Sequence, residues 1–134
     1  MSKRVRFVGL ALGTMAVGLG VHWHGGVLGA GPRDILGDAL WAAMIVWWIG
    51  ALAPGAGLRT RGITAVGICC AVEFSQAVHT AALDALRETT VGHLVLGSGF
   101  DPRDFVSYAL GVLAATLLDW RVNTYRRQPP STGV

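Results

Sequence analysis

Glu73 is the residue of this sequence whose position is chemically the most demanding. It lies eleven residues after Gly62 in an apolar stretch, which at 1.5 Å per residue puts it ~16 Å along a helix, near the middle of a bilayer. An acid at that depth is costly in free energy and normally faces the protein interior, where it is paired or protonated. Gln76 and Thr80 follow at helical spacing, so we expect a polar stripe along one face of this helix.

Two further acids are predicted to lie at a similar depth on other helices. Asp38 falls about one turn into the second apolar stretch, and Asp104 opens the fourth, where a carboxylate favours the positive end of the helix dipole. Tyr108 continues the face of Asp104. Arg87, and less favourably Arg103, is the predicted counter-charge that these acids otherwise lack. The candidate binding cluster is Asp38, Glu73, Gln76, Arg87, Asp104 and Tyr108.

Such a cluster permits three roles. In the first, it binds a polar head group or a lipid-linked cell-wall precursor, with Arg87 facing phosphate or carboxylate and with the acids and Gln76 taking hydroxyls or amines. In the second, Glu73 and Asp104 form the acid/base pair of an intramembrane hydrolase or transferase, which requires both carboxyl groups within reach of one reacting centre. In the third, the cluster only holds the helices of a non-catalytic assembly subunit together. The residues themselves assign no catalytic group.

The elements that must position these side chains are four apolar stretches. Only 14% of the 134 residues are charged, against the roughly 25% of soluble domains, so lipid is the predicted solvent. The stretches cover residues 7–23, 35–53, 62–83 and 105–120. Each is close to the ~20 residues that cross a bilayer. We therefore predict an all-α, integral membrane four-helix bundle that forms one domain over residues 1–127, with a disordered C-terminal tail at 128–134.

The distribution of basic residues predicts the orientation of this bundle. Eight Lys and Arg residues fall on the side that carries both termini, namely Lys3, Arg4, Arg6, Arg59, Arg61, Arg121, Arg126 and Arg127. Only three fall on the opposite side, so the positive-inside rule places both termini in the cytoplasm. The basic start resembles a signal peptide, but no small-x-small cleavage site follows, so the first helix is predicted to remain. Residues 84–103 are predicted to form a long, partly interfacial outer loop.

Several other functions are disfavoured. The basic residues form no stripe along a helix, which argues against nucleic-acid binding. The four histidines, His22, His24, His79 and His93, lack a fixed metal-ligand spacing, so neither a metal site nor a cofactor is predicted. The expected partners are the lipid bilayer, a lipid or lipid-linked head group and a membrane-protein partner.

Five ordered motifs carry a family resemblance. They are GDALW at 37–41, EFSQ at 73–76, DALR at 84–87, LGSGF at 96–100 and DFVSYALG at 104–111. With these motifs the chain resembles the small bacterial membrane proteins of domain-of-unknown-function family 2809 over nearly its whole length. The pattern is more distantly similar to the VanZ-like proteins. The resemblance implies a multi-pass protein of the bacterial cell membrane with an envelope-associated role, and it implies no reaction.

Overall fold

The computed structural model of the chain describes residues 2–97 and 99–127, and in this part every regular element is helical. The helices are α1 (Lys3–His24), α2 (Ala30–Leu52), α3 (Leu58–Gln76), α4 (Ala81–Glu88), α5 (Thr90–Leu96) and α6 (Asp104–Arg127), with a 3-10 turn at Gly25–Leu28. This architecture confirms the predicted all-α class. The predicted tail, residues 128–134, lies outside the described residues.

Three helices are long and apolar enough to cross a membrane by themselves. They cover Lys3–Leu28, Ala30–Leu52 and Asp104–Thr124. A fourth span exists if α3 and α4 count together, although the chain bends by 110° between them. Three to four such helices fit a helical membrane bundle, as the sequence predicted, whereas the orientation of the termini stays a prediction.

The outer surface of the bundle agrees with a lipid environment. Large apolar side chains remain exposed along the long helices, among them Val17 at 55%, Ile63 at 66% and Leu113 at 54%. Water would disfavour so much exposed apolar area on a monomer, whereas hydrocarbon accommodates it. The apolar helices and this surface indicate a membrane protein.

The third span differs from its prediction, which ran as one helix through residue 83. The helix α3 ends at Gln76, and α4 begins at Ala81 after a sharp bend. The Thr80 side chain accepts a hydrogen bond from the Leu83 backbone N–H and so caps the new helix. Hydropathy did not reveal this break, because the residues on both sides of it are apolar.

The predicted interfacial loop at 84–103 also contains more structure than expected. Its first part completes α4, and its middle forms α5, where the Thr89 hydroxyl accepts from the Gly92 backbone N–H. Gly97 ends α5 with a φ of 68°, a left-handed conformation that favours glycine. The segment between α3 and α6 is therefore two short helices followed by a turn.

Close helix contacts hold α2 in the centre of the bundle, where it packs against α1, α3 and α6. A side chain at Gly111 of α6 would overlap the backbone carbonyl of Ala39 in α2. Gly50 of α2 similarly leaves room for the ring of Phe7. These glycines let helices approach more closely than larger residues would permit.

Different helix termini meet at the two opposite ends of the bundle. The end of α3 meets the start of α6 through a contact between Glu73 and Tyr108; we call this the Glu73 end. The starts of α1 and α3 meet α6 through contacts of Arg6 and Arg61 with Asp119; we call this the Asp119 end.

Candidate functional site

Glu73 lies at the centre of a buried hydrogen-bond network at the Glu73 end. Its side chain is completely buried. Oε1 accepts from the Asp101 backbone N–H at 2.7 Å. Oε2 accepts from Gln76 Nε2 at 3.1 Å and from the Tyr108 hydroxyl at 2.9 Å. Three neutral donors from three parts of the chain therefore stabilise this carboxyl group, and no basic side chain in the described part of the chain contacts it.

Gln76 links this network to the turn that follows α5. Its Nε2 donates to Glu73, and its Oε1 accepts from the Gly99 backbone N–H at 3.0 Å. A side chain at Gly97 would collide with the Gln76 amide, so the positive φ and the close approach both require glycine there. Glu73 and Gln76 together fasten the turn to α3.

Asp38 and Asp104 form a second, more accessible group of acids beside Glu73. The two carboxyl groups lie near each other, and Glu73 lies near both. Both residues are half-buried. Neither forms a salt bridge with any side chain that the structure describes. This Asp38–Asp104 pair therefore keeps unsatisfied acceptor capacity between α2 and α6.

Tyr108 connects the pair to the core. It is buried, and its ring lies 6.0 Å from the Trp41 ring, centroid to centroid, at a tilt of 49°. Ser107, next to it, is also buried. The structure thus brings together five of the six predicted cluster residues, namely Asp38, Glu73, Gln76, Asp104 and Tyr108, whereas their role in binding stays a prediction.

Arg87 lies elsewhere at this end. The prediction that it is the counter-charge of Glu73, Asp38 and Asp104 was wrong, because its contacts are with other groups. Its Nη1 donates to the Val78 carbonyl at 2.9 Å and to Asp84 Oδ1 at 3.1 Å, and its Nη2 donates to the Ser75 carbonyl at 2.7 Å. These carbonyls belong to the end of α3 and the bend after it. Arg87 therefore caps α3, where cations are favoured by the helix dipole.

Arg103, the weaker candidate for a counter-charge, pairs with Asp101 instead. Its guanidinium donates to both carboxyl oxygens of Asp101, with a shortest distance of 2.8 Å, and its side chain is 89% exposed. This contact lowers the pKa of Asp101 and raises that of Arg103, chiefly through their side-chain hydrogen bonds. Arg103 nevertheless contributes a favourable field at Asp104.

Sequence reasoning missed a second buried acid at the Asp119 end. Asp119 is 3% exposed and accepts from Arg6 Nη2 at 2.7 Å and from Arg61 Nη2 at 2.6 Å. Arg6 also donates to Asn123 Oδ1. From the sequence, Arg6 and Arg61 were used only to predict the orientation of the bundle. Several basic residues on the same side as a single acid, Asp119, were a signal for the triad that the three residues form.

An aromatic ring completes the triad. The guanidinium carbons of Arg6 and Arg61 lie 4.8 and 4.6 Å from the centroid of the Phe7 ring. Phe7 in turn stacks on Trp47 at 6.3 Å. Cation–π attraction adds to the ion pairs in such an arrangement, so the Asp119 end is closed by a compact charged and aromatic core.

Metal binding finds no geometric support in residues 2–97 and 99–127, where no three His, Cys, Asp or Glu side chains converge suitably. The three acids Asp38, Glu73 and Asp104 are included in this statement. The donors around Glu73 are N–H and O–H groups, which serve a carboxylate. The carboxyl oxygens of Asp38 and Asp104 are hydrogen-bond acceptors.

Comparison with known proteins gives a family match over the region that contains this site. A family model described as "Protein of unknown function (DUF2809)" matches residues 29–112. The matched region begins just before α2 and ends within α6, so it includes all six predicted site residues and omits Asp119. No solved structure matches the chain. The more distant VanZ-like resemblance stays a prediction.

Proposed function

The chain belongs to the DUF2809 family of proteins of unknown function, and on this premise we propose that it is a membrane protein that binds a polar lipid head group or lipid-linked envelope precursor at the Glu73 end. The ligand is a head group whose ammonium or hydroxyl donors meet the Asp38–Asp104 pair. In this proposal the protein belongs to the bacterial cell envelope, and its Glu73 end lies in the outer leaflet.

The unpaired Asp38–Asp104 pair is the observation that carries this proposal. Glu73 is already satisfied by three donors, whereas Asp38 and Asp104 are half-buried and none of the described basic side chains contacts them. Two adjacent carboxyl groups repel each other when both are ionised. A donor-rich ligand between them relieves that repulsion and forms charge-assisted hydrogen bonds.

The position of the pair in the bundle supports a head group rather than a soluble metabolite. Asp104 is the first residue of α6 and lies at the end of a span, whereas Asp38 lies in the third turn of α2, ~12 Å from its first residue. A head group occupies the depth of Asp104 in a bilayer, and its donors would reach inward to Asp38. Exposed Val106 and Leu110 on α6 give the acyl chains of such a ligand an apolar surface beside the pair.

A lipid-competition experiment tests the proposal. The full chain is reconstituted in nanodiscs of phosphatidylcholine, whose quaternary ammonium has no N–H donor, with a minor fraction of phosphatidylethanolamine. Native mass spectrometry then measures which lipid stays bound. We expect retention of phosphatidylethanolamine, and about a tenfold loss in Asp38→Asn and Asp104→Asn, since a hydrogen bond to a charged group is worth ~1.5–3 kcal/mol.

Asp34→Asn is the matched control, because Asp34 lies one turn before Asp38 on the same helix and its side chain is 68% exposed. It should retain the lipid like the unmodified chain. Equal retention of phosphatidylethanolamine by all three variants would falsify head-group recognition by the pair. For the envelope role, the test is complementation of a strain that needs the protein for glycopeptide tolerance. The variant D34N should restore tolerance, whereas the double variant D38N/D104N should not.

A second candidate function, an intramembrane hydrolase or transferase, is favoured by the same contact. Two neighbouring carboxyl groups can act as a general acid and a general base when one holds a proton. Glu73 is less suitable for this role than predicted, because its oxygens are occupied, so the acid/base pair becomes Asp38 and Asp104. Mass spectrometry of the bound lipid distinguishes this candidate from binding alone. A converted lipid indicates an enzyme, and an unchanged lipid indicates binding only.

A further inference from the structure

A cleft of about 500 Å³ opens at the Glu73 end, away from the residues of the Asp38–Asp104 pair. Its lining residues come from the end of α1 and from α4 and α5. Its polar lining consists of His22, Arg87, Glu88, Thr89, Thr90 and His93. Apart from Glu88, these side chains bring N–H and O–H donors to one space.

Arg87 gives this cleft a fixed positive group. The residue is 7% exposed, carbonyls of Ser75 and Val78 hold its two Nη atoms in place, and Nη1 also donates to the Asp84 carboxylate at 3.1 Å. Its Nε is buried and has no hydrogen-bond partner among the described residues. A buried donor left without an acceptor is unfavourable by ~1–3 kcal/mol, so a ligand oxygen that reached Nε from the cleft would stabilise the protein.

The other lining groups identify the chemical class of that acceptor. The rings of His22 and His93 are exposed, and each can donate a hydrogen bond. The Thr90 hydroxyl is a further donor, whereas the Thr89 hydroxyl is already engaged with Leu86 and Gly92. Donors on several sides of a guanidinium suit an oxyanion with several acceptor oxygens.

We propose that this cleft binds a phosphate group through Arg87, His22 and His93. The phosphate belongs either to a lipid head group or to a free phosphate, since both present the same oxygens. The Glu88 carboxylate lines the same cleft and opposes the anion by like-charge repulsion. The site is independent of the Asp38–Asp104 pair and stands even if that pair binds nothing.

The experiment uses the full chain in phosphatidylcholine nanodiscs and two probes. Inorganic phosphate is titrated in one arm, and in the other a fraction of the lipid is replaced by phosphatidic acid, which carries a phosphate monoester. Side-chain ¹⁵N NMR follows Arg87 Nε–H and the ring nitrogens of His22 and His93. Saturable shifts in the first arm identify free phosphate as the source, and shifts in the second alone identify the lipid.

Variants make the proposal falsifiable without depending on Arg87, whose loss also uncaps α3. Glu88→Gln should tighten phosphate binding several-fold, and the double variant His22→Gln/His93→Gln should weaken it about tenfold. His24→Gln is the matched control, because His24 follows on α1 but does not line the cleft. Asp38→Asn should also leave this binding unchanged, which separates it from the proposed head-group function. The proposal is overturned if neither probe binds, or if Glu88→Gln and the double histidine variant both bind like the unmodified chain.

Discussion

The two ends of the bundle each bury an acid, and they stabilise it in opposite ways. Asp119 is held by two arginines that approach within 2.7 Å. Glu73, which is buried more completely, is held by a backbone amide, a side-chain amide and a phenol. The Asp119 end therefore relies on opposite charge, whereas the Glu73 end relies on neutral dipoles.

This difference leaves unpaired groups of opposite sign at the two ends. At the Asp119 end, two arginines share one carboxylate, and Arg6 Nε, Arg61 Nε and Arg61 Nη1 are buried without a hydrogen-bond partner among the described residues. At the Glu73 end, Asp38 and Asp104 have no described cation in contact. The end with the unpaired acids is the one that falls within the family match.

Removing Asp119 should have the largest effect on stability. Asp119→Ala leaves Arg6 and Arg61 with like charges near one ring and no carboxylate between them. Breaking a buried ion pair by removing one partner costs ~3–5 kcal/mol, and we expect a loss of that size in the free energy of unfolding. Titration with sodium dodecyl sulfate in mixed micelles measures it.

The control for this prediction is Arg121→Ala, which removes an exposed charge from the same end and should change the unfolding free energy by less than about 0.5 kcal/mol. If Asp119→Ala proves no more harmful than this control, the Asp119 end is not held by charge.

Replacing Glu73 by Gln should have a smaller effect, because no buried cation is left unpaired. The NH2 group of the glutamine would face one of the three groups that now donate to Glu73. Two donors then face each other, and such a mismatch costs ~1–3 kcal/mol. The same micelle titration measures the stability. Amide hydrogen exchange at Asp101 and Gly99 should become faster, because the turn loses its attachment to α3.

Glu88→Gln is the matched control for Glu73→Gln, since Glu88 is exposed on α4. It should change neither stability nor exchange at Asp101. Unchanged exchange at Asp101 in Glu73→Gln would contradict the view that Glu73 fastens the turn.

Tyr108→Phe should cost less again, about 1 kcal/mol. The phenylalanine ring keeps the contact with Trp41, and Glu73 keeps its donors from Gln76 and Asp101. A double-mutant cycle with Glu73→Gln isolates the hydrogen bond, and its coupling energy should be at least ~0.5 kcal/mol. Additive effects of the two substitutions would exclude an energetic link between the residues.

The sequence predicted the parts of the molecule that follow from helix periodicity. Glu73 and Gln76 share one helix face, as do Asp104 and Tyr108. Glu73 forms hydrogen bonds with both Gln76 and Tyr108. The depth of the predicted spans then brings these faces to one end. Local geometry and a bilayer thickness were sufficient for this part.

The remaining contacts depend on tertiary structure that spacing does not encode. Arg87 turns back onto α3 because the chain bends by 110° after it, and hydropathy is insensitive to that bend. Arg6 and Arg61 meet Asp119 across 113 and 58 positions of sequence. Pairings at such separations arise only when all four long helices are packed.

The smallest predicted effect concerns the surface of the Glu73 end, where charge pairing does occur. Arg103 lowers the pKa of Asp101 through hydrogen bonds to its carboxylate. Because the folded-state pKa is lowered, this pair supports folding above the ordinary Asp value of ~3.9, and the contribution is lost as the pH falls through the folded-state pKa. In Arg103→Gln the pKa of Asp101 should rise towards the ordinary value, which a ¹³C-carboxyl NMR titration of the full chain measures.

The Asp101 backbone N–H should keep its bond to Glu73 in this variant, with little change in amide exchange. A simultaneous loss of that protection would show that the exposed ion pair, rather than Glu73 itself, holds the turn, and the contrast between the two ends would then be smaller than the buried contacts indicate.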